Sequence, residues 1–260
     1  VLEETQTVAI SFSVSHSNSY GISVGAGIQE KNIFGSGNTL NTQLKLSESF
    51  NKLSFYFENP YFNDENHSIS YGAFISEIND NDVMSDSYEI STKGLSLGYG
   101  FPLTENTRIN GKLEYAKNDI TCGSGFSASG YEPNQCATSS NDEVVLSLNW
   151  SESTLNDYMY PTEGNSNAIG IKFATPLGDY RYFNIDANHI SYKPLGNDLT
   201  MKLTADLGLV KGYSGNDLPF FKRYFGGGSG SVRGFGNKTL GPLYPNGKSK
   251  GGELSILGSV

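Results

Sequence analysis

The sequence predicts an all-β fold: a transmembrane antiparallel meander β-barrel, of which these 260 residues carry about twelve strands. Three observations point there. Apolar and polar residues alternate with a period of two almost from end to end. The polar partners are small or charged, as suits a wet interior, and aromatic residues gather at strand ends, where interfacial girdles sit. No run of about 18 apolar residues could cross a membrane as a helix. That does not weigh against a barrel, whose alternating strands average out to polar.

The strands follow one another along the chain. Val8, Ile10, Phe12 and Val14 alternate with small residues, as do Ile22, Val24, Ala26 and Ile28 after a short polar turn. The pattern continues through Leu40–Leu46, Leu53–Phe57, Ile69–Ile75 and Leu95–Phe101. It runs on through Ile109–Tyr115, Val144–Trp150, Ile169–Phe173, Phe183–Ala187 and Leu203–Leu209, and it resumes at Leu254 and Ile256 after a long loop. No credible amphipathic helix interrupts the series. Alternation alone fits a two-sheet sandwich equally well, since one face is apolar in both. The wet-face residues Lys45, Lys112, Glu114, Lys172, Asp186 and Lys202 favour the barrel. So do the strand-end aromatics Phe50, Tyr61, Phe62, Phe101, Tyr158, Tyr160, Tyr180, Tyr182 and Tyr192.

Connections after the second, fourth, sixth and tenth strands are fairly tight and marked by Pro, Gly or Asn. The acidic Asn79–Asp86 loop, a cysteine-bearing loop and the long glycine-rich loop fall at the opposite end. Short turns on one side and long loops on the other is the build of outer-membrane barrels. The net charge of −9 with scattered cations argues against nucleic acid as a partner. Cys122 and Cys136 are either a local disulfide or two idle thiols. In an oxidising compartment the bridge is the expectation, contributing about 3 kcal/mol if unstrained. The chain begins at Val1 without a Met and stops at Val260 inside a strand-like run, so it reads as a fragment.

Little points to chemistry. His16, His67 and His189 show no metal-ligand spacing, and two cysteines without a nearby histidine make a poor zinc site. There is no nucleophile elbow and no phosphate loop, and the glycines at 226–230 follow no strand-to-helix turn. No cofactor, metal or catalytic residue is assigned, and the expectation is a protein that is not an enzyme. What remains is the stretch from Phe225 to Pro242, where a glycine-dense lead-in delivers Arg233 between Val232 and Gly234-Phe235. Such a run reads as a mobile linker or as a functional loop; its length favours a function or disorder.

At Val232-Arg233-Gly234-Phe235 the chain resembles the signature loop of the BamA superfamily of outer-membrane assembly and transport barrels. Gly226, Gly227 and Gly228 resemble the approach to that loop, and Asn237 through Gly241-Pro242 resembles its exit. Ile33-Phe34-Gly35-Ser36-Gly37, Glu58-Asn59-Pro60-Tyr61-Phe62 and Tyr160-Pro161-Thr162-Glu163-Gly164 resemble the family's periplasmic turns. The resemblance implies the first twelve strands of a sixteen-strand barrel in the outer membrane of a Gram-negative bacterium. Residues 1–4 would be the tail of a periplasmic POTRA module, 5–260 the barrel, and 211–250 a loop folded into the lumen.

The same resemblance implies a lateral seam along the first strand, Val8, Ala9, Ile10, Ser11, Phe12, Ser13 and Val14, which would template an incoming strand. Composition alone reads that stretch equally as an ordinary paired strand. The implied partners are membrane lipid, unfolded outer-membrane proteins and accessory lipoproteins. The implied function is folding and insertion of β-barrel proteins. A polypeptide-secreting transporter of the same superfamily and a passive channel are the alternatives.

Overall fold

The computed structural model describes residues 7–17, 21–80, 88–122, 138–196, 199–228, 230–245, 247 and 249–260. Twelve strands run in chain order: β1 (Val8–Ser17), β2 (Gly21–Glu30), β3 (Thr39–Ser47), β4 (Phe50–Asn59), β5 (Ser68–Asp80) and β6 (Tyr88–Thr104). They continue with β7 (Thr107–Cys122), β8 (Ser139–Ser153), β9 (Gly164–Ala174), β10 (Tyr182–Pro194), β11 (Thr200–Gly212) and β12 (Leu254–Ser259). Each pairs with its sequence neighbours, so the sheet order is the chain order from β1 to β12. Among the described residues the only helical turns are two short 3-10 turns, Ile33–Gly35 and Phe220–Lys222. The expected meander of twelve strands is what forms. The predicted Cys122–Cys136 bridge and most of the acidic Asn79–Asp86 loop lie outside the described residues.

The chain divides into two compact units, one of Val1–Tyr99 with Leu113–Glu143 and the other of Gly100–Lys112 with Val144–Val260. In the first, the register aligns apolar side chains across strands: Ile10 with Ile28, Val14 with Val24, Val24 with Leu46, Leu44 with Leu53, and Leu53 with Ile75. That row is exposed, with Phe12 at 82%. An exposed apolar row of this size costs far too much in water to be a solvent face. The other face is polar and interlocked. Thr92 donates to Asn118 Oδ1 at 2.9 Å, Asn118 Nδ2 donates to Glu143 Oε2 at 3.3 Å, and the Lys52 ammonium sits over the Phe74 ring at 5.6 Å.

The second unit repeats the arrangement. Leu146 faces Phe173, Leu148 faces Ile171, Ile171 faces Ile185, Ile185 faces Leu209, and Leu209 faces Leu254. The ladder is again exposed. Its opposite face carries Lys172, Asn184, Asp186, Asn188 and Asp206, one residue out of step with the apolar set. The apolar sides of these strands are therefore outside and the polar sides inside, the inverse of a water-soluble sandwich. This inversion is what the alternation alone left open.

Two of the turns are built by side-chain caps. In the β8–β9 connection Asn156 Oδ1 accepts the backbone N–H groups of Thr162 and Glu163, and Asp157 Oδ1 accepts those of Met159 and Tyr160 at 2.7 Å each. The Tyr160 and Met159 amides hold the Asp157 carboxyl below the usual aspartate range. In the β4–β5 connection Asn59 and Asn63 do the same for Tyr61, Glu65 and His67. These are Asx-type turns, which asparagine and aspartate favour because their short side chains reach the backbone two residues on.

Candidate functional site

The connection between β11 and β12 is long, and it packs onto the polar face of its own unit. Its base is a dry core among the described residues of that unit. Leu218 from the loop closes against Val145, Ala174, Tyr182 and Val210, with Tyr180 and Tyr224 at the margin. Tyr213 fixes the exit from β11: its hydroxyl donates to the Ala174 carbonyl at 2.6 Å and its ring stacks on Phe173 at 5.1 Å. Phe221 meets Tyr180 edge-on at 5.8 Å, and the Lys222 ammonium lies 5.2 Å over Tyr182. Arg181 holds the adjoining β9–β10 turn by donating to the carbonyls of Gly178, Pro176 and Tyr180.

From this base the loop ascends as an irregular hairpin. Tyr224 and Gly252 exchange backbone hydrogen bonds at 2.9 and 2.8 Å, and Leu240 N–H donates to the Gly226 carbonyl at 3.1 Å. Beside Tyr224, Arg223 pairs with Glu253 at 3.8 Å, while its buried Nε has no described partner. Glu253 in turn accepts from Val210 N–H at 2.8 Å through its carbonyl, tying the returning limb to β11. Tyr224 itself reaches the wall. Its hydroxyl donates to Asp186 Oδ1 at 2.6 Å and accepts from Asn184 Nδ2 at 2.5 Å. Burial, and after it Asp186, push the phenol above the ordinary tyrosine range.

The glycine-dense lead-in is hydrogen-bonded turn rather than slack linker. Gly227 N–H donates to Ser231 Oγ at 2.8 Å, Ser231 Oγ donates back to the Gly227 carbonyl at 3.0 Å, and Gly228 N–H donates to the Phe235 carbonyl at 3.0 Å. Gly227 has φ +103° and is buried, and a Cβ there would overlap the Gly236 carbonyl oxygen. On the exit limb Thr239 Oγ1 donates to the Gly236 carbonyl at 2.8 Å, the Lys238 ammonium lies 5.6 Å over the Phe225 ring, and the Pro242 carbonyl accepts from Lys250 N–H at 2.8 Å. This framework presents Arg233 and Phe235 exposed at the tip, with Val232 half-buried behind them. No described residue pairs with the Arg233 guanidinium.

Residues 32–260 match the model of the Omp85 superfamily domain. The chain belongs to the Omp85 superfamily. It is an outer-membrane β-barrel chain, embedded in lipid by the apolar face described above. Among curated relatives it is 25% identical to the outer membrane protein assembly factor BamA of Neisseria meningitidis serogroup B, over 93% of this chain and 32% of that protein. It is 23% identical to BamA of Neorickettsia risticii, over 100% of this chain and 34% of that protein. The chain thus spans about a third of the length of these relatives. Its fold is shared with the crystal structure of Haemophilus ducreyi BamA lacking POTRA domains 1–3. There the TM-score is 0.84 at 23% identity, over 98% of this chain and 53% of that one. CdiB from Acinetobacter baumannii aligns less closely, with a TM-score of 0.53 at 16% identity, over 89% of this chain and 43% of that one.

Within this Omp85 chain the sequence-predicted residues fall in two places. Gly226, Gly227, Gly228, Asn237, Gly241 and Pro242 frame the loop around Val232, Arg233, Gly234 and Phe235. Val8 to Val14 lie in β1, which pairs with β2 along its whole length, from Val8 opposite Glu30 to Ser17 opposite Gly21. One expectation is corrected. Tyr180 and Tyr182 do not form part of an interfacial girdle, because Tyr182 shares the inner face with Asn184 and Asp186 and is 4% exposed beneath the loop. Tyr192 shares that parity and takes the Lys202 ammonium over its ring at 5.7 Å. The girdle reading suits Tyr61, Tyr158 and Tyr160, which are exposed at turns. Reasoning from the sequence missed Tyr224, Asn184 and Gly208. The available signal was strand parity, which places Asp186, Asn184 and Gly208 on the face the loop must cover.

Proposed function

We propose that this chain is the barrel part of an outer-membrane protein assembly factor, which folds and inserts β-barrel proteins into the outer membrane. The observation that supports this most is the closeness of the fold to the BamA barrel, at a TM-score of 0.84, against 0.53 for CdiB. In this reading β1 is the substrate-facing edge of a lateral seam. Its backbone N–H and C=O groups on the side away from β2 template an incoming strand, and the hydrogen bonds of β-augmentation supply the binding energy. No covalent bond is made or broken, so the protein works as an insertase rather than as an enzyme. Residues 5–260 form the barrel domain, with the loop at 211–250 on its lumen side, and residues 1–4, outside the described set, end a POTRA module. Unfolded outer-membrane proteins are the substrates and accessory lipoproteins the partners.

Arg233 has a defined part in this reading. An exposed guanidinium at the tip of an ordered loop is presented for a bidentate carboxylate partner. By the family resemblance that partner is an acidic side chain on the inner barrel wall. Cysteines 122 and 136 are paired in the oxidising environment of the cell surface. The test is complementation in cells depleted of their own assembly factor, using the full-length protein. Arg233→Ala and a proline at Ser11, which removes a donor from β1, are both expected to lower the amount of folded substrate barrels. Failure of the unaltered full-length protein to restore substrate barrels would count against assembly and leave secretion to be assayed directly, whereas wild-type levels in both variants would count against the roles given to Arg233 and β1.

A further inference from the structure

The loop tip has an obvious candidate for function in Arg233, but nothing at the tip explains how the loop keeps its station. The answer lies nine residues earlier, at Tyr224. Its ring lies across Gly208 of β11, where an added Cβ would come within 2.5 Å of Cζ and 2.7 Å of the hydroxyl oxygen. No other residue type would leave that seat open. The hydroxyl then reaches past β11 to β10 and completes a small network. It donates to Asp186 Oδ1, accepts from Asn184 Nδ2, and the remaining Asp186 oxygen stands 4.0 Å from the Lys172 ammonium of β9. Asn188 ties up the neighbouring acid, Asp206, by donating to its Oδ1. The result is a polar wall whose Asp186 accepts the loop hydroxyl, above a gap shaped for its ring.

We infer that Tyr224 is the positioning residue of the signature loop, a latch that fixes the loop to the inner wall at Asp186 and Asn184 independently of whatever Arg233 binds. Two attachments with different chemistry follow from this. The latch is a phenol on a carboxylate, made wholly within this unit; the tip is a guanidinium left free to exchange partners. A loop held at its base can let its tip change partner without leaving its place on the wall. The inference rests on the assembly reading only for what the loop is for, and not for where it sits.

The experiment uses the full-length protein with Cys122 and Cys136 replaced by serine. A single reporter thiol is placed at Val210, which is 1% exposed on β11 beneath Leu218 of the loop. The rate of maleimide labelling at that thiol reads the release of the loop from the wall. Tyr224→Phe keeps the ring in its seat and deletes the hydroxyl, and Asp186→Ala deletes the acceptor. Each is expected to raise the labelling rate about tenfold, in line with loss of a hydrogen bond to a charged group. The double variant should label no faster than Tyr224→Phe, because that variant already removes the contact that Asp186→Ala removes. Asp186→Asn keeps an acceptor oxygen and should return most of the protection. An unchanged rate in Tyr224→Phe, or effects that multiply in the double variant, would overturn the latch. Substrate assembly is measured in the same cells. Faster labelling of the variants in cells whose substrate assembly the protein without these substitutions does not restore would support the latch and contradict the assembly reading, so the two fail separately.

Discussion

Replacing Gly227 by alanine should loosen the signature loop more than any other single methyl group added to it. Two costs add at that position. The backbone stands at φ +103°, outside the conformations open to an L side chain, which costs about 1–3 kcal/mol. The new Cβ would also overlap the Gly236 carbonyl oxygen and press on Thr239 Oγ1 at 3.1 Å, so the Gly236–Thr239 turn must shift. That turn holds a hydrogen bond from Thr239 Oγ1 to Gly236 at 2.8 Å, worth about 1 kcal/mol net. The sum is about 2–4 kcal/mol, localised in the loop. Gly230→Ala is the matched control, since its Cβ would meet nothing within 4 Å and no left-handed φ is required there. Gly234→Ala lies between, with φ +89° but open space. Limited proteolysis of the full-length barrel in detergent measures loop opening directly. The expected order of cleavage rates is Gly227→Ala, then Gly234→Ala, then Gly230→Ala close to wild type. Equal rates for the first and last would refute the reading of the lead-in as a packed turn.

Three further outcomes are expected. Ile171→Lys places a cation in the middle of the apolar face, between Leu148 and Ile185, and should cost about 2–4 kcal/mol of stability in a bilayer; unimpaired folding of the variant into lipid vesicles would show that this face does not meet lipid. Leu218→Ala empties the seat between the loop and Val145, Ala174, Tyr182 and Val210, and should cost about 2–5 kcal/mol in the unfolding of the intact barrel; a loss under about 1 kcal/mol would mean that the loop base is not packed. The third outcome concerns pH. Because the amides of Tyr160 and Met159 lower the Asp157 pKa on folding, the bonds of that turn stabilise it fully above the ordinary aspartate value. They are lost as pH falls through the lower folded value. The Met159 and Tyr160 amide signals should therefore move only in acid, and in Asp157→Asn, which keeps the acceptor oxygen, they should not move at all.

Much of the architecture was legible because a strand reports its own faces. With a period of two, the Ile169-Ile171-Phe173 set names one side and Gly170-Lys172 the other, whatever the strand packs against. What the period cannot say is which side is dry. That came from the small and charged character of the polar set, and the exposure of the apolar rows bears it out. Tyr182 shows where the shortcut fails. An aromatic at a strand end looks like a girdle residue until its parity with Asn184 and Asp186 is counted, and parity places it inside. The latch was out of reach for a different reason. Tyr224 and Asp186 are 38 residues apart, and only the path of an irregular loop brings them within 2.6 Å. No local pattern encodes that path, although Gly208, a strand glycine with nothing to pack of its own, marks a place where something comes close.

These features together suggest why the loop and the wall must be understood as one object. In an ordinary globular domain the dry core lies between layers of regular structure, and loops decorate it. Here the apolar side chains of the strands are committed to the outside, so the inner face of the second unit has little to bury by itself. Its buried apolar residues, Val145, Ala174, Tyr182 and Val210, become a core only because Leu218 and its neighbours arrive from the loop. Removing the loop would therefore do more than open space. It would strip the cover from Tyr182 and Val210, leave Asn184 and Asp186 without Tyr224, and release the returning limb that Glu253 holds to Val210. A segment that closes a core cannot move freely as a gate; what can move at modest cost is the tip beyond the Gly227–Ser231 turn, where the guanidinium stands exposed. The division between a fixed base and a movable tip is thus set by where the apolar contacts stop.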